Sequence, residues 1–288
     1  MSNKFESPNS MDATTLTTTP DSAKTQIMQS TGVDVRADIH PTAKIAADVV
    51  IGPWTVIGPY VEIGSGSRIA SHVVIPGYTK MGSNNHIFQF ASVGEVPQDK
   101  KFENEETFLE IGDNNIIREN ATIHRGTTQG GNFTRIGNNN LLMAYTHVAH
   151  DCIVGNNIIM SNNAGLAGHV LLEDNAILGA YSGVHQFCRV GPHCFISAGS
   201  KVTQDVVPYV IIHGFENVRT TGINSVGLKR HGFSEEDILA IKRAYKIIFR
   251  QSLSMDEAIE QLNTLVPECD KIQKMIEALE RAERGIVR

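Results

Sequence analysis

The chain has 288 residues, a formal net charge of −6, 25 glycines, 6% aromatic and 19% charged residues. This profile suits a repetitive β architecture better than a helical bundle, and its acidity argues against a wide nucleic-acid surface while leaving room for a local basic patch. No apolar run approaches the ~18 residues of a membrane span, and the N-terminus lacks a basic-then-apolar leader pattern, so a soluble cytosolic protein is expected.

Residues 1–37 are polar and rich in Ser, Thr and Asp. Too few apolar groups are available there to offset the entropy of ordering, which predicts a disordered tail.

From Ile39 an aliphatic residue returns every sixth position. One run goes from Ile39, Ile45 and Ile51 to Val93, a second spans Ile111, Ile117 and Ile123, and a third goes from Ile136 through Leu142, Val148 and Val154 to Val202. A strict six-residue step over this length predicts a parallel β-helix in which each coil buries the aliphatics of its neighbours, with the β-helix spanning 38–208. First and fifth places of each hexad face the core; the others face outward or turn the corner. Asn recurs at the fourth place (Asn84, Asn114, Asn139, Asn157), where a corner needs unusual dihedrals. Gly at the second place, as in Ile51-Gly52 and Val154-Gly155, makes the array similar to the hexapeptide-repeat transferases. That resemblance implies a left-handed prism with eighteen residues per coil.

Gly94–Glu110 inserts twelve extra residues into the array, and Gln129–Arg135 lies in a shorter insertion of seven; solenoid insertions form loops on one face, often the binding face. After Val202 the rhythm stops, and Tyr209–Val226 reads as an irregular connector. Ser234, with Asp237 three residues on, predicts a capped helix carrying Ile238, Ile241, Tyr245 and Ile248 on one face. Further helices are expected from about Met255 to Leu265 and from Cys269 to Arg284. Residues 209–288 thus read as a connector and a C-terminal helical domain, too small to hold much of a core alone.

Of the four cysteines, Cys152, Cys188 and Cys194 fall at fifth places and no CxxC pair exists, which predicts small core residues rather than nucleophiles. The histidines are different. His147, His150, His169 and His185 all occupy outward places on adjacent coils. Asp151 sits at a corner beside His150, where it is placed to orient the imidazole and raise its basicity; an ordinary turn-forming role is equally compatible with the position. Gly168 follows His150 by eighteen residues, one coil, or ~4.8 Å along the stack, where its N–H can meet an oxyanion. These groups favour a general base acting on a bound hydroxyl, water or amine.

The strings Gly94-Glu-Val-Pro-Gln-Asp-Lys-Lys101, Ile123-His-Arg-Gly-Thr127, His147-Val-Ala-His-Asp151, Leu166-Ala-Gly-His169, Val184-His-Gln-Phe187 and Gly227-Leu-Lys-Arg230 closely resemble the UDP-N-acetylglucosamine 3-O-acyltransferases, over about Ile39 to Arg288. The resemblance implies the first committed step of lipid A synthesis, with no cofactor and no metal. His150 would take the proton from the sugar 3-hydroxyl, which attacks the thioester of a 3-hydroxyacyl group on acyl carrier protein, and the Gly168 N–H would hold the oxyanion. Gln98, Asp99, Lys101, His147, His169, His185 and Gln186 would line the groove for sugar and acyl chain. Asn224 and Arg230 would meet the nucleotide, the latter supplying charge for a pyrophosphate. His124 lies in a family motif without an assigned role. Ala198 stands where long-chain members place Gly, so Ala198, with Phe195 nearby, predicts a preference for a medium chain such as 3-hydroxydodecanoyl. Outward histidines on a three-sided prism predict a homotrimer with clefts between subunits. Lys242, Lys246 and Arg250, at four-residue spacing, form a basic stripe suited to steering an acidic carrier protein.

Three rival readings stand beside this one. A zinc carbonic-anhydrase-like hexapeptide enzyme would use His147, His150 and His169 as ligands. A UDP-3-O-acylglucosamine N-acyltransferase would carry a globular uridine-binding domain where this chain has its polar tail. A non-catalytic scaffold solenoid explains the repeat but not the clustered histidines.

Overall fold

The computed structural model describes residues 32–288. Two-residue strands recur along the hexads and stack into three parallel sheets. Strands such as Asp38–Ile39, His147–Val148 and Gly165–Leu166 form the first sheet; Lys44–Ile45 and Ile153–Val154 belong to the second, and Val50–Ile51 and Ile159–Met160 to the third. On uninterrupted coils a residue pairs with the one eighteen positions on, as Ile39 with Ile57 and Val148 with Leu166, and across the insertions the step lengthens, as Ser92 with Thr122 and Thr122 with His147. First-place aliphatics are the core: Ile51, Ile69, Ile87, Ile117, Leu142 and Leu178 are each 0% exposed. Each such side chain contributes roughly 1.5–3 kcal/mol, and the columns leave no face of the interior unpaired.

On the uninterrupted coils from Trp54 to Gly199 the fourth place is left-handed whatever residue fills it, whereas Thr42 and Asp48 on the first coil are not. Asn84, Asn139 and Asn157 have positive φ, but so do Trp54, Tyr60, Tyr145, Asp151, His169 and Phe187. A non-glycine residue there costs roughly 1–2 kcal/mol, so closure of the coil overrides local preference. Asn also fills fifth places, a pattern the hexad rule does not anticipate. Asn85, Asn115 and Asn140 are buried and climb the core as a ladder, each side-chain oxygen accepting the backbone N–H of the residue one coil up.

The array extends past both ends of the sequence reading. Residues 1–31 of the expected tail lie outside the described residues, but Val33, six before Ile39, bridges to Ile51, and the Asp34 N–H donates to the Ile51 carbonyl at 2.9 Å. The coil above supplies backbone partners that composition cannot reveal. Where an irregular connector was expected, Val210–His213 pairs in parallel with Phe195–Ile196, and Arg219–Ile223 returns antiparallel to it.

Four helices follow: Ser225–Arg230, Glu235–Arg250, Met255–Asn263 and Ile272–Arg281. Ser234 caps the second; its Oγ accepts the Asp237 N–H at 3.0 Å, and Asp237 accepts the Ser234 N–H in return. Ile238, Ile241, Tyr245 and Ile248 are buried, and the helices share a core with Val207 and Tyr209 at the end of the prism. The chain then leaves the last helix at Arg281, short of Arg284, and runs back along the prism. Ile286 bridges to Asp205, and the Thr220 hydroxyl donates to the Val287 carbonyl at 2.8 Å. Among the described residues no helix is long and apolar enough to cross a membrane.

Candidate active site

One corner of the prism gathers the chemistry. His150 lies between the strands His147–Val148 and Ile153–Val154, where the chain turns from the first sheet to the second. Both insertions leave from this same corner on lower coils, the first between Ser92–Glu95 and Phe108–Ile111, the second between Thr122–His124 and Phe133–Ile136.

The centre is an ion-pair geometry: His150 Nδ1 stands 2.7 Å from Asp151 Oδ2, whose side chain is 0% exposed. The second insertion fixes the carboxylate, which accepts the Thr127 N–H and the Thr127 hydroxyl, each at 2.7 Å. The Asp151 N–H donates to the Thr134 hydroxyl at 2.8 Å. Burial alone pushes the Asp151 carboxyl upward, but the hydrogen bonds from His150 and Thr127 outweigh it and hold the group below the usual carboxylate range. An ionised carboxylate can only accept, so His150 Nδ1 carries the proton of this bond and Nε2 is the nitrogen left for chemistry.

Gly168 lies directly over the His150 ring. A Cβ placed on it would approach Cε1 to 2.7 Å and Nε2 to 3.0 Å, so any larger residue would push the imidazole out of place. Its N–H makes no hydrogen bond among the described residues. His169 completes the upper wall: its Nε2 is 3.5 Å from Asp151 Oδ2, its ring crosses His150 edge-on at 5.3 Å, and it stacks on Phe187 at 4.4 Å. Below, the Thr122 hydroxyl meets His147 Nδ1 at 2.7 Å, and the His124 ring lies edge-on to His147 at 5.0 Å. His124 is 3% exposed and its Nδ1 has no partner among the described residues; burial, with the neighbouring His147 and His150, pushes it down to about 4. Burial also lowers His147 and His169. The lower wall is therefore kept neutral.

The other expected residues are more scattered. Asp99 is close enough to influence the His169 charge, and its side chain accepts the Lys101 N–H at 3.0 Å; Gln98 and Lys101 are exposed on the same loop. His185 and Gln186 lie at the same corner, two coils above His150. Asn224 is not free to meet a ligand through its carbonyl oxygen. Its Oδ1 caps the helix Ser225–Arg230 by accepting the Gly227 N–H at 3.1 Å, and its Nδ2 donates to the His193 carbonyl at 2.9 Å. That puts Asn224 at the corner between second and third sheets. Arg230 is exposed near it, and Ala198 is exposed at the corner between third and first sheets, one turn from the half-buried Phe195. Within one chain these residues and His150 therefore lie on three different corners.

Sequence reasoning missed Thr127 as the carboxylate clamp, although it closes one of the quoted strings. It missed Gly130, whose Cβ would fall 2.0 Å from the Asp151 carboxyl carbon. It also missed Arg125, a buried guanidinium over the rings of Tyr78 and Phe102 that braces the first insertion, and Arg284. The cysteines are no nucleophiles: all four are buried, and burial pushes the Cys152 thiol up to about 12. Only one group among the described residues has metal-like spacing, His150, Asp151 and His169, with ligand atoms within 4.8 Å of one another. His147 does not join it. Asp151 Oδ2 already accepts from His150 and from the Thr127 hydroxyl, so the set satisfies itself without a cation.

A hexapeptide-repeat β-helix bearing a histidine–carboxylate pair at one corner defines the class: the hexapeptide transferases. Residues 39–77 and 133–168 match the bacterial transferase hexapeptide family, and 205–287 match the second domain of UDP-N-acetylglucosamine O-acyltransferase. Three solved structures are similar over nearly their whole length. LpxA from Acinetobacter baumannii is 49% identical, with TM-score 0.87, over 89% of this chain and 99% of that one. The UDP-N-acetylglucosamine O-acyltransferase LpxA of Moraxella catarrhalis is 44% identical, with TM-score 0.87, over 89% and 99%. The UDP-N-acetylglucosamine acyltransferase of Francisella novicida is 43% identical, with TM-score 0.86, over 89% and 94%. The chain belongs to the UDP-N-acetylglucosamine O-acyltransferase family and has its left-handed parallel β-helix.

Proposed function

We propose that this protein moves a 3-hydroxyacyl chain from acyl carrier protein to the 3-hydroxyl of UDP-N-acetylglucosamine, the first step of lipid A synthesis, with His150 as general base. The observation that carries this reading is the buried Asp151 holding His150 Nδ1 at 2.7 Å, directly beneath Gly168. His150 Nε2 takes the proton as the sugar oxygen attacks the thioester carbonyl. The Gly168 N–H receives the developing oxyanion, and Asp151 stabilises the imidazolium. As the tetrahedral intermediate collapses, the C–S bond breaks and His150 returns the proton to the departing thiolate. Gln98, Asp99, Lys101, His147, His169, His185 and Gln186 bind sugar and acyl chain; Asn224 and Arg230 bind the nucleotide, Asn224 through its remaining amide proton.

The outer faces support a homotrimer. Ile116, Leu141, Ile159, Ile177, Phe195 and Ile211 pair successively up the outside of the third sheet, forming an apolar column over roughly 24 Å. A second copy covering this column brings the corner of Asn224 or Ala198 towards the His150 corner of its neighbour. The carrier is steered by Lys242, Lys246 and Arg250, exposed along Glu235–Arg250, in the cytoplasm.

The test is turnover of UDP-N-acetylglucosamine with 3-hydroxyacyl carrier proteins of several lengths, the product identified by mass. The expected product gains one 3-hydroxyacyl ester at O3. No acylation of UDP-N-acetylglucosamine with N-acylation of UDP-3-O-acylglucosamine instead, or zinc-dependent hydration of carbon dioxide, refutes the reading.

A further inference from the structure

Behind the helices the chain passes the active corner a last time. Arg284 follows the helix Ile272–Arg281, and the segment around it is pinned to the prism: the Gln204 amide donates to the Arg284 carbonyl at 2.9 Å, and the Asp205 N–H donates to the Gly285 carbonyl at 3.2 Å. Its guanidinium reaches across to the coil above His169. Nη1 donates to the Gln186 carbonyl at 3.1 Å and stands 3.4 Å from His185 Nδ1, while the guanidinium carbon is 5.9 Å from the centre of the Phe187 ring. Phe187 in turn stacks on His169, which contacts Asp151. One continuous wall thus leads from the reacting imidazole to an exposed cation.

This cation has no carboxylate within 4 Å among the described residues. Nη1 is engaged, whereas Nε and Nη2 make no hydrogen bond there. The fork left open is the edge with which arginine grips a phosphate through two parallel bonds. A guanidinium with an open fork, fixed beside a catalytic corner and within electrostatic reach of Asp205, is placed to hold an anion that arrives with substrate.

We propose that Arg284 is a phosphate-binding residue of the acyl-transfer site. Resting on the function proposed above, this names two sources for the anion, the pyrophosphate of the sugar nucleotide and the phosphodiester of the carrier's pantetheine arm. Arg284 touches neither the reacting oxygen nor the thioester, so its loss weakens binding and leaves the chemical step alone.

The experiment compares wild type, Arg284→Lys and Arg284→Gln in the full-length protein, with Tm as a folding control. KM is measured for UDP-N-acetylglucosamine and for three donors carrying the same acyl chain: the acyl carrier protein, acyl-phosphopantetheine and acyl-pantetheine. A phosphate contact made through two charge-assisted bonds predicts a KM rise of roughly 10–100-fold in Arg284→Gln, kcat within about threefold, and partial recovery in Arg284→Lys. A rise confined to the two phosphorylated donors, with acyl-pantetheine unaffected, assigns the carrier phosphodiester. A rise for UDP-N-acetylglucosamine alone assigns the pyrophosphate. Unchanged KM values, or a fall in kcat at constant KM, overturn the proposal and leave Arg284 as a support for Phe187 and His185. Wild-type turnover, measured in parallel, tests the underlying function separately.

Discussion

His150 and Asp151 are sequence neighbours whose side chains meet at 2.7 Å. In a strand, adjacent side chains point to opposite faces. Here Asp151 sits in the left-handed region at φ 60°, which breaks the alternation and folds its carboxylate back under the preceding imidazole. The corner that closes the coil therefore also orients the base.

His150→Ala removes the proton acceptor and is expected to lower kcat by about 10²–10⁴-fold while leaving Tm and sugar-nucleotide affinity near wild type. Asp151→Asn keeps the shape but loses the ionised acceptor that fixes the tautomer, and a smaller fall in kcat should result. A folded His150→Ala protein retaining more than about a tenth of wild-type kcat rules out His150 as the base.

Gly168→Ala tests the approach of backbone to ring. Its Cβ would lie 2.7 Å from His150 Cε1, so the imidazole must move by several tenths of an ångström. Activity should fall at least tenfold, as misplacement of a catalytic group does, with the coil preserved. Wild-type kcat in this variant would show that neither the ring position nor the N–H above it matters.

The pH dependence of stability has a defined sign at His124. Its pKa is pushed down to about 4 in the fold against 6.5 when free. Between these values the unfolded chain binds more protons, so stability is complete above about pH 6.5 and is lost as pH falls towards 4, by up to about 3 kcal/mol. His124→Gln should flatten the decline in Tm between pH 7 and 5. An identical slope in both proteins would remove His124 as its source.

Ala198→Gly should shift the kcat/KM ratio towards longer donors and Ala198→Met towards shorter ones, with 3-hydroxydodecanoyl preferred by the wild type. One methylene is worth about 0.8 kcal/mol, roughly fourfold, so the change is a graded bias and not an exclusion. Donor ratios that do not move in either variant would leave the chain-length stop elsewhere.

Ile159→Arg places a charge in the apolar column without touching the core. Light scattering should then show dissociation of the trimer together with loss of activity. An active monomer would contradict the intersubunit cleft.

The six-residue step by itself determined a parallel β-helix, because each first-place aliphatic has to be buried by its counterparts on neighbouring coils; the left-handed coil of eighteen residues was implied by the resemblance to the hexapeptide transferases. That coil brought His150 and Gly168 onto one corner, since the separation of these residues is a whole coil. The step says nothing about non-periodic segments. Tertiary structure alone decided that Val33 and Val210–His213 join the array, for their partners are backbone groups on neighbouring coils. It alone brought Thr127, from an insertion of no fixed register, onto the Asp151 carboxylate, and Arg284, ninety-eight residues from Gln186, onto the wall of the site. Contacts between parts of the chain that share no period leave no mark in the sequence until the chain is folded.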